Sequence, residues 1–297
     1  MMRVLVTGGA GFIGHHLVQH LLSRGDEVVV LDNCSRGSLD RPELAGAELL
    51  EGDVRDLSTC LRAVAGCTSV VHLAAISNVM GSQADPRLTE ETNVAGTANV
   101  ARATRSAGAH LIFASSREVY GEPSLLPVCE SDRLAGKNAY GASKVAAEAL
   151  LQRAAQDGLT VSVLRFTNVV GTGDSGRVLP TWLEAAHAGR PFILYGGDQV
   201  IDFVPVATAV EAIDRLVHGS AIAEPINIGS GRQTTLLKLA SAIREAFGGH
   251  PQFERRPARE VEVSRFQADT TRMRTLLGIE PPEAPLAVIP EMIRALR

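Results

Sequence analysis

A tyrosine and a lysine four residues apart are the first candidates for chemistry in this chain. Tyr140 and Lys144 occur in the segment YGASK, at the start of a predicted helix, so both side chains share one helix face. A phenol has a pKa of about 10, and a neighbouring ammonium group favours its ionised form. The pair can therefore act as a base that takes a proton from an alcohol or sugar hydroxyl. The same spacing also arises by chance, when two residues merely share a helix face.

Two serines lie upstream of this helix, in the segment FASSREVYG that follows a predicted strand. They would stand at the carboxyl edge of a parallel sheet, where open α/β sheets bind their ligands. Ser116 could share a hydrogen bond with a substrate hydroxyl beside Tyr140. A serine in this position can also simply cap a turn.

A glycine-rich turn near the N-terminus indicates a phosphate-binding site. The segment TGGAGFIGHHL follows an apolar run, and Gly9, Gly11 and Gly14 satisfy the pattern G-x-G-x-x-G. Glycine lets the backbone approach a pyrophosphate, and the free N–H groups of a helix start favour its negative charge. Asp32 ends the next predicted strand, where a carboxylate accepts hydrogen bonds from an adenosine ribose and repels a 2′-phosphate. The complete context predicts a dinucleotide site that prefers NAD to NADP.

These residues must be positioned by the elements around them, and the first two thirds of the chain alternate between strand and helix patterns. Strands are predicted at 3–7, 27–32, 47–51, 69–74, 110–115 and 160–166, and helices at about 12–24, 56–65, 85–106 and 140–156. Apolar runs such as VSVLRF are typical of parallel strands covered on both faces. The alternation predicts an α/β protein with a Rossmann-type, doubly wound parallel sheet.

After about residue 170 the pattern becomes less regular. Helices are predicted within 180–189, 207–219 and 234–249, and short strands within 192–197, 200–206 and 225–231. We interpret residues 1–170 as an NAD-binding Rossmann domain. Residues 171–297 would form mainly a smaller, partly discontinuous substrate lobe, with some segments returning to the Rossmann domain.

Composition argues against several other classes of protein. A net charge of −4 provides no basic surface for nucleic acid. No apolar run reaches the roughly 18 residues needed to cross a bilayer, and the first strand begins too early to leave room for a signal peptide. The four cysteines lack CxxC spacing, and the eight histidines form no evident metal-ligand pair. We therefore expect a cytoplasmic protein with reduced thiols and no metal, nucleic-acid or membrane partner.

Several motifs together resemble those of the extended short-chain dehydrogenase/reductase family, in particular its NAD-dependent nucleotide-sugar epimerase/dehydratase group. The motifs are TGGAGFIG, LDNCSRG, GDVRD, HLAA, TNVAGTANV, SSREVYG, YGASK and LRFTNVVG, and they span most of the chain. The resemblance implies that Tyr140 and Lys144 form the catalytic pair and also hold the nicotinamide ribose. It implies that Ser116 occupies the catalytic Ser/Thr position, and that helices near 85–106 and 140–156 form a homodimer.

The resemblance also implies which residues contact NAD. Asp32, Asn33 and Ser35 would hold the adenosine ribose, and Asp53 and Val54 would meet the adenine. The further cofactor contacts are Gly8, Gly11, Phe12, Ile13, Gly14, Leu73, Ala74, Ala75 and Asn93.

A UDP-sugar, or another nucleotide sugar, is the implied substrate. Asn168 and Arg259 match residues that contact its diphosphate, and arginine's planar fork suits phosphate oxygens. Leu179 and Tyr195 match positions around the nucleotide base. Phe266 matches a pocket position where bulk would exclude a 2-acetamido group, or it is a core aromatic. The other expected substrate contacts are Ser77, Ser116, Arg117, Glu118 and Arg177.

The chain departs from the family pattern at positions that affect the substrate. Ile201 stands where an arginine usually binds the diphosphate, so that contact is missing or comes from elsewhere, such as Arg177. Arg117 replaces the aspartate that donates a proton in the 4,6-dehydratases, which argues against dehydration. Glu118 matches the glutamate of dehydratases and nucleotide-glucuronate decarboxylases, or is a solvated loop carboxylate.

The sequence therefore predicts an NAD-dependent nucleotide-sugar 4-epimerase acting on a UDP-hexose or UDP-hexuronate. Tyr140, assisted by Ser116, would take the C4 hydroxyl proton as hydride passes to NAD. Hydride return to the other face of the 4-keto sugar would complete the reaction. The first alternative is a nucleotide-glucuronate decarboxylase or another 4-keto enzyme that uses Glu118. The second is a non-catalytic NAD-binding regulator on the same fold.

Overall fold

The computed structural model describes residues 1–248 and 252–296. The strands of this part are β1 (Arg3–Thr7), β2 (Glu27–Asp32), β3 (Glu48–Glu51), β4 (Ser69–His72), β5 (His110–Ser116), β6 (Val161–Phe166), β7 (Asn168–Val170), β8 (Phe192–Tyr195), β9 (Val200–Ile201), β10 (Phe203–Pro205), β11 (Ile226–Ile228), β12 (Thr234–Thr235) and β13 (Phe253–Arg256). The helices are α1 (Phe12–Ser23), α2 (Leu57–Ala63), α3 (Val79–Ala84), α4 (Pro86–Glu90), α5 (Gly96–Ser106), α6 (Ala139–Gln156), α7 (Val178–His187), α8 (Val206–His218), α9 (Leu236–Phe247), α10 (Thr271–Leu277) and α11 (Ile289–Ala295). Short 3₁₀ helices lie at Pro42–Leu44, Arg117–Tyr120 and Pro285–Val288.

Seven strands form one parallel sheet in the order β11–β6–β5–β4–β1–β2–β3. Helices α1 and α8 pack on one face through residues such as Leu17 and Ile213. Helices α2, α5 and α6 pack on the other face through residues such as Val100 and Leu151. Because both faces are covered, the inner strands are apolar almost throughout. The predicted fold class, a Rossmann-type doubly wound α/β sheet, is confirmed.

The residues after β7 build a second apolar core beside the main sheet. Trp182 of α7 stacks on Phe192 of β8 with ring centroids 5.0 Å apart, and Phe253 of β13 meets both rings edge-on. β8 and β13 pair in parallel, and α9 and α11 add apolar residues to this core. β11, by contrast, returns to the main sheet and pairs with β6.

The segment predicted as a single strand over 200–206 is divided at Asp202. Its carboxylate is fully buried and accepts hydrogen bonds from the backbone N–H groups of Ser230, Gly231 and Ala268, at 2.8–3.0 Å. The chain bends to bring the carboxylate to these groups. As a result β9 pairs antiparallel with β12, whereas β10 pairs in parallel with β7.

The helix predicted over 85–106 is also interrupted. A π-helical turn over Glu91–Ala95 joins α4 to α5. Within this turn the Asn93 amide bonds the backbone N–H and C=O of Ile76, at 2.8 and 3.0 Å, and the Ser143 hydroxyl at 2.9 Å. Such turns inside α-helices often accompany functional sites, and this one fixes a loop of the cavity described below.

Other differences concern element ends and short elements. β4 ends at His72, two residues before its predicted end, because the chain turns over the cavity from Leu73. α9 ends at Phe247, and Gly248 takes the left-handed conformation (φ 70°) of a helix stop; Gly249, within the predicted segment, lies outside the described residues. No helix of the described part is long and apolar enough to cross a membrane. All four cysteines are free thiols.

Replacing Asp202 by alanine should destabilise the protein, because three buried N–H groups would lose their acceptor. An unpaired buried donor costs about 1–3 kcal/mol, so we expect the free energy of unfolding in urea to fall by about 3 kcal/mol or more. The exposed Asp198 is the control, and Asp198→Ala should change it by less than about 0.5 kcal/mol. Equal effects of the two substitutions would contradict the anchoring role of Asp202.

Candidate active site

A cavity of about 730 Å³ lies along the carboxyl edge of the sheet. It is bordered by the β1–α1 turn, the ends of β4, β5 and β6, the start of α6 and residues of the second core. It therefore contains both the glycine turn and Tyr140, which are distant in sequence. A separate groove of about 840 Å³ between α1 and α8 contains none of the predicted site residues.

The β1–α1 turn has the geometry of a pyrophosphate site. Gly8 adopts a left-handed conformation (φ 72°), and a Cβ on Gly14 would lie 2.2 Å from the Gly8 carbonyl oxygen. Gly11 precedes α1 and makes no side-chain capping hydrogen bond, which leaves the N–H groups of Phe12 and Ile13 open to an anion. All five residues line the cavity. The turn thus fits the pyrophosphate of a dinucleotide.

The Asp32 carboxylate closes this end of the cavity. One oxygen accepts the N–H of Ala10 at 3.0 Å, and the other accepts the N–H of Cys34 at 2.9 Å. Each oxygen keeps a lone pair for a ribose hydroxyl, because a carboxylate has about four acceptor positions. The two backbone bonds fix the carboxylate where the predicted ribose contact needs it.

The next predicted contacts form a polar pair beside Asp32. Asn33 donates to Asp53 at 3.0 Å and accepts from the Ser35 N–H at 3.2 Å. The Arg55 guanidinium holds the pKa of Asp53 at about 2, well below its usual range. Asn33, Ser35, Val54 and Arg55 line the cavity, whereas the Asp53 carboxylate stands behind them.

Above the sheet, the loop after β4 forms the cavity wall. Leu73, Ala74, Ala75 and Ser77 line it, and the Ser77 hydroxyl accepts from Arg36 at 3.3 Å. Asn93, predicted as a cofactor contact, is buried behind this loop and fixes its backbone instead.

Tyr140, Ser116 and Lys144 come together in the middle of the cavity wall. Asn138 caps α6 by accepting the Gly141 N–H at 2.8 Å, which places Tyr140 in the first helical turn. Burial raises the pKa of the Tyr140 phenol, whereas the neighbouring Ser116 hydroxyl and nearby arginines lower it. The phenol thus stands beside a hydrogen-bonding group and positive charge, as a catalytic base requires.

Lys144 lies one turn further along α6. Its Nζ donates to the Ala114 carbonyl oxygen at 2.7 Å and lies 4.5 Å from the centroid of the Phe113 ring. Burial lowers the pKa of Lys144 to about 7, and Glu148 opposes this shift. At neutral pH the protonation of Lys144 therefore depends on the balance between its burial and the charge of Glu148.

Glu118 is buried in the cavity wall rather than solvated. Its carboxylate lies 2.9 Å from Arg117 and accepts from the Asn138 amide at 2.8 Å. The Arg117 guanidinium in turn lies 5.6 Å from the centroid of the Phe266 ring. The two neighbouring residues 117 and 118 thus neutralise each other.

The side chains of two predicted substrate residues, Phe266 and Leu179, lie in apolar cores; the contact predicted for Leu179 is made by its backbone and stays a prediction. Phe266 is fully buried against Tyr120 and Val128, so it is a core aromatic behind Arg117. Leu179 is fully buried in the second core, while its neighbour Val178 faces the cavity. In both cases the apolar side chain fills space between elements.

The remaining predicted substrate residues do line the cavity. The buried Oδ1 of Asn168 has no hydrogen-bond partner among the described residues. Arg177 bonds the Val169 carbonyl oxygen at 3.1 Å. The Arg259 guanidinium lies 3.7 Å from the centroid of the Tyr195 ring. These groups offer polar and cationic contacts to an anionic ligand.

Asp174, in the loop GTGDSG, is a further cavity residue that was not predicted from the sequence. Its side chain is 2% exposed and lies 3.2 Å from Arg177, and its Oδ2 has no hydrogen-bond partner among the described residues. Burial raises the pKa of Asp174 to about 6. The one sequence signal for this residue is an acidic side chain within a glycine-rich loop that follows β7.

This combination of glycine turn, acidic strand end and Ser–Tyr–Lys cluster matches a known family. Residues 4–229 match the NAD dependent epimerase/dehydratase family. The chain belongs to this family. Membership confirms the resemblance inferred from sequence and identifies NAD as the cofactor, which the glycine turn and Asp32 fit.

Individual members of the epimerase/dehydratase family support the match. The chain is 35% identical to a UDP-glucose 4-epimerase of Erwinia amylovora, over 91% of this chain and 90% of that protein. It is 32% identical to UDP-glucuronic acid decarboxylase 4 of Arabidopsis thaliana, over 100% of this chain and 69% of that protein. The crystal structure of the Thermus thermophilus UDP-glucose 4-epimerase complexed with NAD superposes with a TM-score of 0.91, at 33% identity, covering 99% of both chains.

Replacing Asp174 by asparagine in this family member should increase stability at neutral pH. The folded-state pKa of Asp174 is about 6, above the ordinary 3.8, so ionised Asp174 opposes folding. The stability that the neutral carboxyl contributes is therefore lost as the pH rises from about 4 to 6. The variant should therefore be about 2–3 kcal/mol more stable than the wild type at pH 7.5, with the difference shrinking towards pH 4.5. Urea unfolding at both pH values measures this. Glu184→Gln, at an exposed site on α7, is the control, and a pH-independent difference for Asp174→Asn would contradict the burial argument.

Proposed function

We propose that the protein is an NAD-dependent nucleotide-sugar 4-epimerase whose substrate is a UDP-hexose or UDP-hexuronate. The observation that carries this proposal is the engagement of Glu118 by Arg117 and Asn138. A 4,6-dehydration needs an acid at position 117, and arginine cannot donate that proton at ordinary pH. Because Glu118 is also engaged in an ion pair with Arg117, Tyr140 is the group best placed for proton transfer. One such group is sufficient for a 4-epimerase, which removes and returns the same C4 hydroxyl proton.

The chain's own residues divide the work of this reaction. Tyr140 takes the C4 hydroxyl proton and later returns it, and Ser116 orients the hydroxyl beside it. Lys144 supplies positive charge that favours the phenolate. The glycine turn and Asp32 would hold NAD, which when bound accepts a hydride from the sugar carbon and returns it. The shared cavity brings both sets of residues together.

The nucleotide end of the substrate would lie between the sheet and the second core. Arg259 over Tyr195 presents a flat, cationic surface suited to a base or a phosphate. Arg177 and Asn168 face the cavity from the other side. The relatives described above support a UDP-sugar, since they include UDP-glucose 4-epimerases and a UDP-glucuronic acid decarboxylase.

A nucleotide-glucuronate decarboxylase is the second candidate, and the burial of Glu118 in the cavity wall favours it. Decarboxylation and epimerisation begin with the same C4 oxidation. With a C6 carboxylate present, the 4-keto intermediate is a β-keto acid that can lose carbon dioxide. The match of the whole chain to the Arabidopsis decarboxylase gives this candidate further weight.

We also propose the predicted homodimer and cytoplasmic location for this protein. The outer face of α6 carries small exposed residues, including Ala142, Ala146 and Ala149. Such a face permits close approach of a second copy. The dimer and the location stay predictions.

Tyr140→Phe should abolish epimerisation while leaving the fold intact, because only the phenolic oxygen is removed. Loss of a general base typically lowers kcat by about 10²–10⁴-fold. We would measure interconversion of UDP-glucose and UDP-galactose, with circular dichroism and NAD binding as controls for folding. Turnover by the variant near the wild-type level would exclude Tyr140 as the base.

A uronic acid substrate separates the two candidate reactions. We expect UDP-glucuronate, if turned over, to give mainly UDP-galacturonate with its carboxylate retained, because Arg117 and Arg177 can hold the C6 carboxylate out of alignment with the ketone. Product mass and NMR, with trapping of released carbon dioxide, measure the outcome. A pentose as the main product would reject epimerisation and assign Glu118 the decisive role. If UDP-hexoses without a carboxylate are the only substrates turned over, Arg117 and Arg177 do not have the proposed role of holding a C6 carboxylate.

A further inference from the structure

Glu148 is a buried carboxylate that the proposed reaction does not use. It lies on α6 one helical turn after Lys144 and behind the cavity wall. The Ser115 hydroxyl donates to its Oε1, and Arg165 donates to Oε1 through Nε at 3.0 Å and to Oε2 through Nη2 at 2.6 Å. A carboxylate buried with this many partners is fixed in position.

Its two partners stand directly opposite each other in the sheet. Ser115 of β5 and Arg165 of β6 are paired residues in the strand register. Glu148 therefore joins α6 to both strands at once. The next residue on β5 is the proposed catalytic Ser116, and β6 leads within three residues to Asn168. The contact lies immediately beneath the strand ends that border the cavity.

Arg165 extends this contact to other parts of the fold. Its Nη1 donates to the Tyr120 hydroxyl at 2.9 Å and to the Glu130 carbonyl oxygen at 3.0 Å. Tyr120 in turn donates to Asn227 of β11 at 2.7 Å. Tyr120 also ends the 3₁₀ helix that carries Arg117 and Glu118. The network links α6 to β11 and to the 3₁₀ helix that carries Arg117 and Glu118.

Glu148 also matters electrostatically for Lys144. Burial lowers the pKa of Lys144 to about 7, and the charge of Glu148 is the influence that raises it. His72, the other titratable group near Lys144, is buried with a pKa lowered to about 3, so it is neutral. The charged groups that face Tyr140 from other elements are Arg117, Glu118 and Arg177.

We propose that Glu148 is a positioning residue of this site: its bonds to Ser115 and Arg165 hold α6 against β5 and β6, and its negative charge stabilises the ammonium group of Lys144, which lies one helical turn away on the same face as Tyr140. The expected effect of Glu148 on turnover rests on the proposed function. Its effect on Tyr140 is a property of the protein without substrate. Loss of the Glu148 charge would leave more Lys144 neutral, and the Tyr140 phenolate would then form only at higher pH.

Glu148→Gln tests this, because glutamine keeps the shape and an acceptor oxygen but removes the charge. Tyrosinate absorbance is titrated without sugar, and the curve of the matching Tyr140→Phe protein is subtracted to isolate Tyr140. We expect its midpoint to rise by about one pH unit. The acidic limb of the pH profile of kcat for UDP-sugar turnover should shift to higher pH by a similar amount. Glu148→Asp keeps the charge and should restore both curves towards the wild type.

Asp157→Asn, which neutralises an exposed acid at the end of the same helix, should change neither curve. If Glu148→Gln does not fold, the double variant Glu148→Gln/Arg165→Leu removes both buried charges, and it should show an upward shift that is smaller, because loss of Arg165 also removes a positive charge near Lys144. An unchanged Tyr140 titration in either folded variant would overturn the proposal, even if the melting temperature or kcat fell. Absence of turnover by the wild type would overturn the proposed function, whereas the titration without sugar would still decide the role of Glu148.

Discussion

Buried charges at the carboxyl edge of the sheet must be paired, and this requirement governs how α6 packs on the strands and what the site can do. Burying a charged side chain in a protein interior is costly unless it is paired and hydrogen-bonded. This edge buries Lys144, Glu148 and Arg165 close to one another. The Glu148–Arg165 pair satisfies two of these charges, whereas among the described residues the Lys144 ammonium contacts a carbonyl oxygen and an aromatic ring. This less fully compensated lysine lies one helical turn after Tyr140.

The same constraint explains the chemistry that the cavity wall can support. Arg117 and Glu118 are adjacent, largely buried and 2.9 Å apart, so the positive charge of one compensates the negative charge of the other. The two opposite charges act on the pKa of Tyr140 in opposite directions, Glu118 raising it and Arg117 lowering it. Proton transfer is therefore concentrated on Tyr140, which favours a reaction that takes up and returns one proton at one carbon.

Local sequence patterns were enough to predict the parallel sheet and the position of the site. Strands covered on both faces are apolar throughout, and residues that follow such strands must lie at the carboxyl edge. This reasoning placed Ser116 at the carboxyl edge, whereas Asn168 was expected there from the resemblance to the family. Patterns of this kind do not record pairings between distant residues. The break at Asp202 depends on groups at 230, 231 and 268, and Phe266 is in the core because residues near 120 and 128 enclose it.

The replacement of the family arginine by Ile201 changes how an anionic ligand can be held. Ile201 lines the cavity without charge, so the cations proposed for the diphosphate are Arg177 and Arg259. Each already has an internal carboxylate partner, Asp174 at 3.2 Å and Glu262 at 2.9 Å. An incoming diphosphate or carboxylate must share these guanidinium groups or displace their partners. Asp174 is the easier partner to displace, because burial has raised its pKa to about 6 and it can give up its charge by taking a proton.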